Sequence, residues 1–236
     1  MKSTKPILII SVTLNIVFFL FATAYVEQKG GLAWVVSKLP FFEQNPEIPK
    51  LPLPNVDDRI LIIGDSHLAI HPWAEYSQLP FSNRAVSGSK IRDIKLEDIE
   101  GNPAIVMVSS STNDIQEKNP LNTEEIKIAL KELFYKISSR WPDSKIIFIS
   151  APYPNVSIYE KFIRAKYPNI NRPMPEQIDS IQSFVSSLGI ITIKAKSANI
   201  DGLHIDKESA LDIVKAIEKL FANHRLHSEP ATARVR

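Results

Sequence analysis

Apolar residues along most of this chain follow two alternating spacings. Short, β-branched runs occur at positions 59–63, 104–109, 145–150 and 190–193. Apolar residues with the i, i+3, i+4 spacing of amphipathic helices occur at 126–137, 178–188 and 211–221. Buried strands that alternate with helices are typical of a parallel sheet covered on both faces. The pattern predicts one α/β domain, a three-layer α/β/α sandwich with a mostly parallel sheet.

The amino terminus has a different pattern. Residues 6–26 contain no charged side chain and follow Lys2 and Lys5. At about 1.5 Å per residue such a helix crosses a bilayer core of about 30 Å, and the basic residues before it favour a cytoplasmic amino terminus. We expect a signal-anchor helix over residues 1–26, with the remaining chain on the periplasmic or extracellular side. Small residues at Ala22 and Ala24 leave a cleaved signal peptide, and therefore secretion, as the alternative.

Three further segments lack the alternating pattern. Residues 27–56 contain five prolines between positions 40 and 54, which predict an extended linker before a domain at 57–223. Residues 151–175, with five prolines and three tyrosines, are too long for a plain connection and predict a functional loop at the rim of the sheet. The polar residues 224–236 predict a disordered tail.

Composition narrows the possible functions. The 236 residues are 44% apolar, enough for one substantial core. The 28 basic and 26 acidic residues give a net charge of +2 without a basic patch, so we expect no nucleic-acid partner. The chain has no cysteine, which excludes disulfides, thiolate metal sites and a cysteine nucleophile.

Candidate site residues occur just past the ends of the predicted strands or, for Gly88, after a short run that begins at Phe81. In chain order they are Asp65-Ser66-His67, Gly88, Asn113-Asp114 and Asp201-x-x-His204. Each has an ordinary interpretation as a helix cap or a turn residue. In a parallel sheet, however, ligands bind beyond the carboxyl ends of the strands. A hydroxyl, a turn amide, a side-chain amide and an Asp–His pair on one rim therefore predict a functional site.

This ordered set, beginning at Gly64, resembles the SGNH (GDSL-like) hydrolase superfamily over most of residues 57–221. The resemblance implies that Ser66 is the nucleophile, that His204 is the general base and then the acid, and that Asp201 orients the imidazole. It also implies an oxyanion hole formed by the Ser66 and Gly88 amides and the Asn113 side chain. The chemistry is consistent, because a serine hydroxyl becomes a good nucleophile only when an oriented histidine takes its proton.

Two residues depart from the family pattern. Ser111 stands where the third block of the family has glycine, and its Cβ narrows the pocket or shifts the strand end. His67 replaces an apolar residue, either as a partly buried histidine at a helix start or as a second proton acceptor or substrate contact. The pair Asp65-x-His67 also matches the first ligands of metallophosphoesterases. The further ligand blocks of that class are missing from the sequence, so we expect no metal and no cofactor.

The sequence therefore predicts an exported serine esterase that removes acyl groups, acetyl included, from a carbohydrate or lipid. An O-acyltransferase that modifies a cell-surface glycan by the same acyl-serine route is one alternative. A non-catalytic, membrane-tethered binding module that keeps the fold is the other. Tyrosines in the predicted loop either stack on a sugar or serve as packing and surface residues: Tyr153, Tyr159 and Tyr167.

Overall fold

Five strands form the central sheet of the computed structural model, which describes residues 55–117 and 119–228. They are β1 (Ile60–Gly64), β2 (Phe81–Asn83), β3 (Ile105–Ser109), β4 (Lys145–Ser150) and β5 (Ile191–Lys194). The strand order is β2-β1-β3-β4-β5, and all four neighbouring pairs are parallel. This order reverses direction between β1 and β3. A doubly wound sheet has its ligand crevice at such a switch point.

Helices connect the strands and cover the sheet. They are α1 (Ser66–Ala69), α2 (Trp73–Tyr76), a 3₁₀ turn (Ile91–Asp93), α3 (Thr112–Gln116), α4 (Thr123–Arg140), α5 (Val156–Lys166), α6 (Pro175–Ser187) and α7 (Lys207–Ser228). The start of α4 is stabilised by a capping box, in which the Asn122 side chain accepts from the Glu125 amide and the Glu125 carboxylate accepts from the Asn122 amide.

Each face of the sheet has its own apolar core, because successive side chains on a strand point to opposite faces. One face packs strand residues against α4 and α6: Leu61, Ile63, Val106, Val108 and Phe148. The other packs strand residues against α7: Ile60, Ile62, Ile105, Met107, Ile147 and Ile149. The predicted three-layer α/β/α sandwich with a parallel sheet is confirmed.

The structure corrects several boundaries. Val56, predicted as linker, is buried in the core, so the domain begins before residue 57. The last predicted strand was expected to be buried, but β5 is an edge strand and is partly exposed. The segment 151–175 is not a continuous loop, since α5 lies within it. Helix α7 runs to Ser228, into the predicted tail.

A third, smaller apolar cluster explains α5. Tyr159, Phe162 and Ile163 on this helix pack against Leu203 of the loop before α7. Tyr159 is fully buried and is thus a packing residue. Tyr153 instead donates to Asp179 and lies beneath the Lys194 ammonium, whose Nζ is 3.6 Å from the ring centroid.

No helix between residues 55 and 117 or between 119 and 228 is long and apolar enough to cross a membrane. The predicted anchor over 1–26 and the linker up to residue 54 lie outside the described residues.

Candidate active site

The turn after β1 presents Ser66 at the carboxyl edge of the sheet. Gly64 ends the strand with φ +130°, and a Cβ at this position would lie 1.8 Å from the Ser109 carbonyl oxygen of β3. Only glycine fits this turn without moving the neighbouring strand. Asp65 then caps α1 by accepting a 3.0 Å hydrogen bond from the His67 amide. As a result, the strand stops sharply and Ser66 occupies the first position of the helix.

Ser66, His204 and Asp201 form a continuous chain of hydrogen-bonding contacts. The Ser66 Oγ lies 2.8 Å from His204 Nε2, across 138 positions of sequence. His204 Nδ1 lies 2.5 Å from Asp201 Oδ2. The first distance is within the reach expected between a nucleophile and its base, and the second is slightly shorter than an ordinary hydrogen bond. The structure thus brings together the three residues that sequence reasoning placed in a triad.

The loop that holds Asp201 and His204 is anchored on α5. Gly202 has φ +75°, and a Cβ there would lie 2.7 Å from the Tyr159 amide nitrogen and 2.8 Å from the Asn155 carbonyl oxygen. The Asn155 amide donates a 2.9 Å hydrogen bond to the Gly202 carbonyl. The segment predicted as a rim loop therefore holds the Asp201–His204 loop in place through the start of α5.

Charge is balanced within the Asp201–His204 pair. Burial opposes ionisation of both groups, but each stabilises the other, so the pKa of His204 lies above its ordinary value and the pKa of Asp201 lies below. The second oxygen of Asp201 accepts from the Leu203 and His204 amides at 2.8 and 3.0 Å. An ionised Asp201 thus holds the imidazole with Nδ1 facing it and Nε2 facing Ser66.

The predicted oxyanion donors lie on three loops that contact one another. Asn113 Nδ2 donates to the Ser89 carbonyl at 2.9 Å, which leaves its second N–H available. Ser89 Oγ and the Val86 amide both donate to the Gly64 carbonyl, at 2.7 and 2.9 Å. Within the described part of the chain, neither the Ser66 amide nor the Gly88 amide donates to a protein acceptor.

Ser111, the departure from the family pattern, has an unusual backbone. Its φ is +119° and its ψ is −28°, a conformation that favours glycine. A residue with a Cβ is strained in this conformation, so the turn directly before Asn113 holds backbone strain. The next buried carboxylate, Asp114, accepts from the Ile91 amide at 3.2 Å, and burial raises the pKa of Asp114 to about 6.

Asp65 and His67 lie behind the nucleophile and are both fully buried. Burial raises the pKa of Asp65 to about 7, despite its bond from the His67 amide. Burial and the neighbouring His204 lower the pKa of His67 to about 3. His67 Nε2 lies 3.0 Å from Thr112 Oγ1. Of the two interpretations of His67, the histidine at a helix start agrees with its position in α1, except that the side chain is fully buried instead of partly buried. In residues 55–117 and 119–228 no three His, Asp or Glu side chains group as metal ligands.

A cavity of about 460 Å³ adjoins the oxyanion loops. Gly64 and Gly88 contribute to its wall, together with apolar and charged side chains: Ile63, Arg84, Asp93, Ile94, Lys95 and Ile99. Neither Ser66 nor His204 lines it. The reacting groups therefore lie beside this cavity, on the same rim of the sheet.

Sequence reasoning missed three supporting residues. Thr112 and Ser89 lie directly beside Asn113 and Gly88 in the chain and contact His67 and Asn113 in space. Asn155, the cap of α5, contacts Gly202. Position beside a predicted site residue was a signal for the first two, whereas no sequence signal connected Asn155 to the site.

Comparisons with known proteins find similar folds among solved structures. No protein-family model and no curated protein matches the chain. Among solved structures, a candidate platelet activating factor from Streptococcus pneumoniae aligns with TM-score 0.57 and 17% identity, over 90% of this chain and 98% of its own. A candidate GDSL-like lipase from Parabacteroides merdae aligns with TM-score 0.53 and 12% identity, over 72% and 98%.

A carbohydrate esterase of family 2 from Corynascus thermopiles, solved with a carbohydrate-binding domain, aligns with TM-score 0.50 and 15% identity, over 72% of this chain and 67% of its own. At such identities the likeness defines the fold alone. The structural neighbours and the parallel five-stranded sheet together identify this chain as having the SGNH (GDSL-like) hydrolase fold.

Proposed function

We propose that this protein is a serine esterase that cleaves acyl esters through Ser66, His204 and Asp201. The observation that carries the proposal is the contact chain from Ser66 Oγ to His204 Nε2 at 2.8 Å and from His204 Nδ1 to Asp201 Oδ2 at 2.5 Å. A serine, histidine and carboxylate in this order are what acyl transfer to a hydroxyl requires. The contact chain favours an enzyme over a non-catalytic binding module, because binding alone needs no such alignment.

In the first half of the reaction, Ser66 Oγ attacks the ester carbonyl carbon while His204 Nε2 takes the hydroxyl proton. The imidazolium that forms is stabilised by the Asp201 carboxylate. The carbonyl oxygen becomes an oxyanion that accepts hydrogen bonds from the Ser66 amide, the Gly88 amide and Asn113 Nδ2. His204 then gives its proton to the leaving alcohol oxygen, which leaves an acyl-serine.

In the second half, a water molecule attacks the acyl-serine carbonyl as His204 Nε2 takes one of its protons. Collapse of the second oxyanion breaks the bond to Ser66 Oγ and returns the proton to it, and the free acid departs. A sugar hydroxyl in place of water would give the acyltransferase by the same steps.

A fluorophosphonate probe tests the assignment on the purified full-length chain. We expect the probe to label the wild-type protein, Ser66→Ala to abolish labelling, and His204→Ala to slow it by about a thousandfold or more. Asn113→Ala, which removes one oxyanion donor, is expected to slow it by about a hundredfold. Ser138→Ala, a change at an exposed serine of α4, is the matched control and should label like the wild type.

Two outcomes would overturn the proposal in different ways. Folded wild-type protein that never labels would favour the binding module. Labelling that persists in Ser66→Ala would show that another residue is the nucleophile.

For the substrate, we propose acyl esters of a carbohydrate or lipid, acetyl esters among them. The carbohydrate esterase among the structural neighbours supports the sugar class. Chromogenic esters of increasing acyl length, measured beside acetylated xylan and peptidoglycan, would separate the classes. A preference for acetyl esters supports sugar deacetylation, and a preference for long chains supports a lipid ester.

We further propose that residues 1–26 anchor the folded domain to a membrane through the proline-containing linker that follows them, with the site outside the cytoplasm. The uncharged segment 6–26 after Lys2 and Lys5 supports this arrangement. Carbonate-washed membranes are expected to retain the full-length chain. A mature amino terminus at Tyr25 would show instead that a signal peptide is removed.

A further inference from the structure

One buried contact joins the loop of the nucleophile to the loop of the side-chain oxyanion donor. His67 follows Ser66 in the chain, and Thr112 precedes Asn113. His67 Nε2 lies 3.0 Å from Thr112 Oγ1, and the two side chains are 0% and 4% exposed. Water does not compete for a hydrogen bond at such burial, so the contact holds the two loops together more firmly than an exposed one would.

His67 is suited to a structural bond and not to proton transfer. Its pKa is lowered to about 3 by burial and by the neighbouring His204, so the ring is neutral wherever His204 works. The two imidazole centroids are 5.4 Å apart. A neutral ring at that distance adds no positive charge that would oppose the imidazolium on His204. Ser66 Oγ is already paired with His204, so the reaction does not need His67 as a base.

Thr112 lies between a residue with a strained backbone and the proposed side-chain oxyanion donor. The preceding residue, Ser111, holds the φ of +119° described above, and the following residue is Asn113. A strained conformation persists only where its surroundings hold it. Three hydrogen bonds hold this turn: one between His67 and Thr112, one from Asn113 Nδ2 to the Ser89 carbonyl, and one from the Ile115 amide to the Ser111 carbonyl.

We propose that His67 and Thr112 are positioning residues that fix the Asn113 amide relative to Ser66 Oγ. The inference rests on the proposed function, in which Asn113 donates to the oxyanion. A hydrogen bond to an oxyanion is sensitive to small displacements of the donor, because the donor must lie at about 2.7–3.1 Å from where the charge develops. Removal of the Thr112 hydroxyl frees the strained turn and lets Asn113 move out of that range.

A double-mutant cycle between Thr112 and Asn113 tests this. Thr112→Val keeps the side-chain shape and removes the hydroxyl. We expect it to slow fluorophosphonate labelling of Ser66 about tenfold in the wild-type background and less than about twofold in Asn113→Ala. Thr112→Ser, which restores the hydroxyl, should label within about twofold of the wild type. On an ester that is turned over, kcat is expected to fall while KM stays, because the affected bond forms in the transition state.

Controls separate positioning from general destabilisation. Thr192→Val makes the same change in β5, where the Thr192 hydroxyl meets Ser186 Oγ at 2.8 Å, and should leave labelling unchanged. His67→Phe removes the other partner but keeps an aromatic ring, and it should slow labelling as Thr112→Val does. The double variant His67→Phe with Thr112→Val should then be no slower than either single variant.

The possible failures are distinct. Equal losses from Thr112→Val in the wild-type and Asn113→Ala backgrounds, or no loss in the wild type, would overturn the positioning role. Absence of labelling in the wild-type protein would instead overturn the proposed esterase.

Discussion

Replacement of Ser111 by glycine is expected to stabilise the protein, although it removes a side chain from a site that is 9% exposed. The residue has φ +119° and ψ −28°, where an L-residue brings its Cβ close to the backbone. The Ser111 side chain makes no capping bond to α3. Ser111→Gly therefore removes steric strain without removing a capping hydrogen bond.

The size of the effect follows from two opposing terms. A non-glycine residue in a sparsely populated backbone region costs about 1–3 kcal/mol, and glycine relieves most of that cost. Glycine also increases the conformational entropy of the unfolded chain, which costs about 0.4–1 kcal/mol. The expected net gain in the free energy of unfolding is thus about 1 kcal/mol, with the two terms allowing about 0–2.6 kcal/mol. For a domain of this size each kcal/mol raises the thermal midpoint by about 2–4 °C.

Urea and thermal unfolding, followed by circular dichroism, measure the change. Ser138→Gly is the matched control, because Ser138 is exposed in the last turn of the long helix α4. Glycine at a helical position costs about 0.5 kcal/mol relative to serine, so this variant should be slightly less stable than the wild type. If Ser111→Gly were destabilised as much as Ser138→Gly, the turn would hold no strain and the reasoning would fail.

Two further predictions concern ionisation and the nucleophile turn. Because Asp201 raises the pKa of His204 above its ordinary 6.5 despite burial, and only neutral His204 accepts the Ser66 proton, labelling should increase with pH through a midpoint above 6.5. In Asp201→Asn burial still lowers the pKa of His204, and only the smaller effect of Asp65 still raises it, so the midpoint should move below that of the wild type. An unchanged midpoint would contradict the assignment. Gly64→Ala should prevent folding or cost more than about 4 kcal/mol in urea unfolding, because its Cβ meets the Ser109 carbonyl. Gly189→Ala, with φ +78° and nothing within 4 Å, should lose only about 1–2 kcal/mol, and equal losses would show that the clash is relieved.

The sequence predicted the layers of the fold better than its edges. Strand β4 begins and ends where its apolar run does, and the capped helix α4 matches its periodic pattern. These elements are identified by short-range signals, namely apolar spacing and caps. Strand β5 has an equally apolar run but lies at the edge of the sheet, and its position depends on pairing with β4 alone. Strand order is a property of long-range packing, which a local pattern does not contain.

Proline density misled the interpretation of residues 151–175. The prolines lie on both sides of α5 and at the start of α6, so they bound the helices and do not interrupt them. The apolar residues of α5 face a small cluster instead of the main core. Only a few of them repeat with helical spacing: Tyr159, Phe162 and Ile163. A pattern that covers barely three turns is weak evidence for a helix beside so many prolines.

The candidate site shows why contacts between its loops need the structure. In the parallel pairing of β1 with β3, Gly64 lies opposite Ser109. Both strands end at this pair, so the residues that follow leave the sheet side by side, and His67 meets Thr112 across 45 positions of sequence. A different register by one residue would move Asn113 relative to Ser66 by about 3.3 Å, more than the tolerance of an oxyanion bond. The sequence names Ser66 and Asn113, but the register of two strands determines whether they act on the same atom.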